Sequence, residues 1–102
     1  MGVFSKIIRI LEKQTMSFRE RIERYVDAMP SAVSGEHGHT ATFLVAVALV
    51  RGFDLGPDVA LQFLRRYNQR CQPPWSEREL RHKLQSADSF QSRNGKARGY
   101  LL

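Results

Sequence analysis

The sequence predicts an all-α fold, a single small bundle of about five helices joined by short loops. Three observations carry that expectation. Apolar residues recur three and four apart in one segment after another. Two Ser-x-x-Glu sequences, Ser17 to Glu20 and Ser76 to Glu79, have the spacing of a helix capping box. No stretch alternates apolar and polar residues as a half-buried strand does, and no repeat of fixed period appears. A length of 102 residues with 42% hydrophobic content suits one globular domain. It is too short for a (β/α)8 barrel or a full doubly wound sheet, which removes most folds with large catalytic pockets.

The elements follow in order. Residues 1–16 carry an amphipathic stripe, Phe4, Ile7, Ile8 and Leu11, with Lys6, Arg9, Glu12 and Lys13 mostly on other faces. Such a helix packs on its own domain or docks on a partner, and short basic ones also lie on membranes. Met1-Gly2 is not a myristoylation start, because Lys6 stands where that motif needs Ser or Thr. The stretch is too polar for a signal-peptide core. Whether it continues through Gln14-Thr15-Met16 into the next helix is left open by the sequence. Residues 17–102 form the domain proper. Ser17 caps a helix whose stripe is Phe18, Ile22, Tyr25, Val26 and Met29, and Pro30 stops it.

Residues 31–39 read as a loop with Gly35, Gly38 and the pair His37 and His39. Thr40 or His39 then opens a helix over residues 41–51 that is apolar on nearly all sides and belongs at the centre of a bundle. Gly52 is its expected C-terminal cap. Phe53-Asp54-Leu55 connects to Gly56-Pro57, a cap followed by proline at the first helical position. The next helix turns Ala60, Phe63, Leu64 and Tyr67 inward and Gln62, Arg65, Arg66 and Gln69 outward, and Cys71-Gln72-Pro73-Pro74 ends it. Ser76 then caps a helix with Leu80, Leu84 and Ala87 as its buried stripe. Trp75 before the cap and Leu80 at the fourth position have the spacing of a hydrophobic staple. Residues 91–102 are polar and basic with a turn at Asn94-Gly95, and the closing Gly99-Tyr100-Leu101-Leu102 has apolar residues that can dock back.

Charge narrows the function classes. Sixteen Lys and Arg against ten Asp and Glu leave a formal charge of +6, with a pI near 10.1. All of that excess is carried from Arg65 onward, where nine basic residues face three acidic ones. A polyanionic partner is therefore expected on the C-terminal third, nucleic acid first among them, against the alternative of a merely solvated basic face. Cys71 is the one cysteine, which excludes an intramolecular disulfide and a cysteine-based zinc site and fits a cytoplasmic protein. No apolar run approaches a membrane span. No metal site is expected: His37-Gly38-His39 is not the helical pair of a zinc protease. A Ser–His–acid triad is compatible with the composition, but no nucleophile elbow and no Walker sequence is present. No catalytic residue is assigned.

Two sets of residues can carry binding. Ser34, Gly35, His37, Gly38, His39 and Thr40 lie on a glycine loop running into a helix N-terminus, where exposed amides and the helix dipole hold phosphate. The same residues equally satisfy plain turn geometry. The second set is Arg65, Arg66, Tyr67, Asn68 and Arg70, followed by Trp75, Arg78, Arg81, His82 and Lys83. Guanidinium groups meet phosphates while rings stack on bases, which suits single-stranded nucleic acid. Arg78, Arg81 and His82, three and four apart, line one helix face. For Trp75 the alternative is the staple, and for Tyr67 it is core packing.

These residues together resemble a known family. Ser34-Gly35-x-x-Gly38-His39-x-x-Thr42-Phe43, then Gly52-Phe53-x-Leu55, then Tyr67-Asn68-x-Arg70-Cys71-x-Pro73-Pro74-Trp75-Ser76-Glu77-x-Glu79-Leu80-x-x-Lys83 is similar to the helix-bundle domain that follows primase-polymerase catalytic domains in plasmids, phages and bacterial mobile elements. The closing Gly99 to Leu102 is similar too, so the resemblance runs from about Phe18 to the end. His37 departs from it, standing where a glycine is common, and residues before Ser17 do not match. The resemblance implies an accessory module of DNA primase and replication that contacts single-stranded DNA or RNA template and a nucleotide, beside a primase-polymerase or helicase. No other cofactor is implied. Asp27, Asp54, Asp58 and Asp88 are scattered singly, so the two-metal carboxylate pair of a polymerase is absent and the chain is not expected to catalyse synthesis. A second reading keeps the primase-type bundle for protein interaction or regulation, with residues 1–16 as the docking or dimerisation helix. The oligomeric state is not legible.

Overall fold

The computed structural model describes residues 17–33, 38–90 and 97–102. They form four α-helices: α1 (Phe18–Ala28), α2 (Gly38–Val47), α3 (Pro57–Asn68) and α4 (Glu77–Asp88). A π-helical turn, Ala48–Gly52, continues α2. The fold is all-helical, as the periodicity predicts. Among the described residues there is no strand, only an isolated bridge between Val33 and Gln72. The expected first helix, residues 1–16, lies outside the described residues, as does the turn at Asn94-Gly95. No helix among the described residues is long and apolar enough to cross a membrane.

Local signals place most helix ends. Ser17 Oγ accepts from the Glu20 amide at 3.1 Å. At α4 the capping box is complete, with Glu79 N donating to Ser76 Oγ at 3.2 Å and Ser76 N donating to Glu79 Oε1 at 3.1 Å. Each bond satisfies an amide that the first helical turn leaves without a partner. Gly56 and Pro57 open α3 as expected.

The core gathers on α2 and the π turn. Val45, Ala46, Leu49 and Val50 are wholly buried, as an all-apolar helix must be. α4 packs on α2 and α3, and α3 packs on α1. Ile22 and Val26 from α1, Leu64 and Tyr67 from α3, and Leu80, Leu84 and Ala87 from α4 complete the cluster.

Two boundaries differ from expectation. α2 starts at Gly38, so His39 and Thr40 occupy its first turn and do not precede it as caps. Gly52 is not a left-handed cap. It ends the π turn, and the left-handed position falls on Asp54, at φ 53°, which an aspartate tolerates. Gly52 is buried because Leu101 lies on it: a Cβ there would overlap the Leu101 side chain. The closing turn does dock back. Gly99 N donates to Arg51 O at 2.6 Å and Leu101 N to Gly52 O at 2.8 Å.

Candidate functional site

The connector between α3 and α4 brings the two predicted binding regions together. Gln72 N donates to Ala32 O at 2.9 Å, so the chain entering the glycine loop runs beside the segment leading to Trp75. Asn68 holds that segment by both amide atoms. Its Oδ1 accepts from Trp75 N at 2.8 Å and its Nδ2 donates to Trp75 O at 2.9 Å. The indole Nε1 then donates to Thr42 Oγ1 at 2.9 Å, which fixes the ring against α2. Trp75 is half-buried and packs on the core, as a staple residue should.

Lys83 completes this corner. Its side chain comes from the buried side of α4, and the residue is only 5% exposed. Nζ sits 4.0 Å from the centroid of the Trp75 ring and 2.6 Å from His39 Nδ1. The His39 and Trp75 rings meet edge-on with centroids 6.1 Å apart. An ammonium has donors only, so with Lys83 charged the His39 Nδ1 is the acceptor. Burial pulls the Lys83 pKa below its ordinary value, while the charges of Glu79 and Cys71 push it back up. Among the described residues no carboxylate forms an ion pair with Lys83, and Glu79, one turn earlier, is bonded to the Ser76 amide. The result is a buried cation with unused donors beside the first turn of α2, whose amides also carry partial positive charge. Chemically this corner suits an anion.

The remaining candidates separate. Ser34, Gly35 and His37 lie outside the described residues. Gly38 is the first residue of α2, and His39 and Thr40 are exposed in its first turn. Tyr67 is in the core at 0% exposure, with its hydroxyl donating to Pro30 O at 2.6 Å, so it offers no ring to a base. Three of the arginines are engaged within the protein. Arg66 grips Asp27 with two bonds of 2.9 and 2.8 Å. That hydrogen bond holds the Asp27 carboxyl below the usual carboxylate range. Arg65 pairs with Glu77 and lowers its pKa in the same way. Arg70 donates to Val26 O at 2.7 Å and Met29 O at 3.0 Å, closing the free carbonyls at the end of α1.

Arg78, Arg81 and His82 are exposed on α4. At about 100° per residue, Arg78, Arg81 and His82 span about 100° of the outer side of α4, opposite Leu80, Leu84 and Ala87. The three therefore lie on one exposed face of α4. Arg81 also lies 4.0 Å from Glu77. Arg78 and His82 have no partner among the described residues.

Thr42 is the residue of this corner that sequence reasoning did not single out for binding. It is a wholly buried hydroxyl at the head of the apolar run 43–50, and that placement is the signal that marks it. No group of three metal-ligating side chains forms among the described residues. No family model, curated protein or solved structure matches the chain.

Proposed function

We propose that this chain is a nucleotide- and nucleic-acid-binding accessory module of DNA replication, of the kind that serves a primase, and that it contacts single-stranded template without catalysing synthesis. One observation carries the reading: Lys83, a residue 5% exposed and without a described carboxylate partner, brings its ammonium to the start of α2 through His39. A buried charge without a counter-ion is costly. A phosphate group at the loop supplies that counter-ion, with the α2 amides as further donors. Arg78 and His82 continue the positive charge from this corner over exposed α4, where a template backbone can follow. The motif resemblance points to the same partners.

Trp75 is the sole tryptophan, so its fluorescence reports the site directly. Titration with ATP and with oligo-dT at low salt should give a saturable change for each. Lys83→Met should weaken ATP at least ten-fold, about 1.4 kcal/mol, and leave the helical circular dichroism unchanged. Arg78→Ala with His82→Ala should weaken oligo-dT and spare ATP. Absence of binding by either ligand at low salt sinks the proposal.

A further inference from the structure

The cleft between α1 and α3 is closed electrostatically by its own pairs, Arg66 with Asp27 and Arg19 with Glu23. A different surface lies where α1 meets the π turn and the closing turn. There Arg21, Arg24, Tyr25, Phe53 and Leu101 line a cleft of about 390 Å³. Its floor is apolar, with half-buried Tyr25 and Leu101 beside the buried Phe53 ring. Its rim carries two guanidinium groups one turn apart on α1, and no carboxylate lines it. Arg21 donates to Leu101 O at 3.3 Å, which holds the rim in place. Arg24 has no partner among the described residues, and Asp54, next to Phe53 in the chain, faces Arg98 at 3.9 Å.

We propose that this cleft binds a short acidic segment of another protein, through one apolar anchor side chain on Tyr25 and Leu101 and a flanking carboxylate on Arg24. Charge complementarity argues for the acid, since both rim residues are cationic and one is unpaired. The concave apolar floor argues for the anchor, as in other sites where a single side chain fills a pocket. Nucleic acid fits less well. Phe53 is only 4% exposed and is already covered edge-on by Phe18 and Tyr25, at 6.0 and 5.4 Å, so it offers no free face to a base. Two cations are also too few to track a phosphate backbone. The proposal is independent of the Lys83 corner.

The test uses the full chain labelled with 15N and a synthetic peptide, Asp-Glu-Asp-Phe-Asp-Glu with blocked ends. Saturable amide shifts are expected at Tyr25, Gly52, Phe53 and Leu101 at sub-millimolar peptide. Arg24→Glu, a change at an exposed unpaired residue, should weaken the peptide at least ten-fold. Replacing the peptide's Phe by Ala should do the same. No saturable shift, or equal binding by Arg24→Glu, overturns the proposal. So does oligo-dT moving these amides at lower concentration than the peptide, which would make the cleft a nucleic-acid surface. Shifts on dilution of the protein alone would assign it to self-association and overturn the proposal as well.

Discussion

Burying an ammonium costs free energy unless a counter-charge lies near. Lys83 meets the His39 ring and an indole face, which offset part of that cost. Its lowered pKa makes the cost measurable. In the window between the folded pKa and the ordinary value of 10.5, the unfolded chain holds the proton that the folded chain has lost. Stability from this group therefore rises with pH through that window. Cys71 acts in the opposite sense, because burial raises its pKa above 9.0 and folded protein then retains a proton that unfolded chain loses. The difference between Lys83 and Lys83→Met is read in a Cys71→Ala background, because the two groups act on each other. That difference, from urea melts at pH 7 and at pH 10, should favour Lys83→Met most at pH 7 and shrink toward pH 10. A difference that does not vary with pH would mean that Lys83 is not desolvated as described.

At the scale of elements, the π turn and the closing turn form one joint. The wider π turn ends on a buried glycine, and Leu101 occupies the place a side chain would take. Arg98 ties the same joint to α4 through Asp88 at 3.2 Å. Gly52→Ala forces Leu101 off the core, an overpacking of the kind that costs about 1–3 kcal/mol. The expected loss in Tm is at least about 4 °C for a domain of this size, read by thermal melting. Unchanged stability would show that the closing turn does not seat on Gly52. The sequence marked Gly52 correctly as a special position but for the wrong cause. A C-terminal cap is a local pattern, whereas the Leu101 contact joins residues half the chain apart.

For the whole molecule, charge and binding surface are not the same thing. Of the basic residues from Arg65 onward, Arg65, Arg66 and Arg70 are held by Glu77, Asp27 and the end of α1. On exposed α4, Arg78 and Arg81 neutralise about two phosphates, which gives a slope near −1.4 for log K against log salt with single-stranded DNA. Use of all nine basic residues from Arg65 onward would give a slope near −6. Arg65→Ala with Arg66→Ala should leave that slope unaltered and lower stability. A slope that flattens in this double variant would return these arginines to the interface.

The sequence by itself determined the helical class, the capped starts of α1, α3 and α4, and the buried stripes along them. Caps and stripes are interactions within about four residues, so spacing alone displays them. Only the tertiary structure decided which charges stay available. Arg66 meets Asp27 across 39 residues and Lys83 meets His39 across 44. No local pattern distinguishes an arginine that an ion pair will hold from one left in solvent. For the same reason Tyr67 and Lys83, both placed among binding residues by composition, part company in the fold. Tyr67 fills the core, and Lys83 carries a charge to its edge.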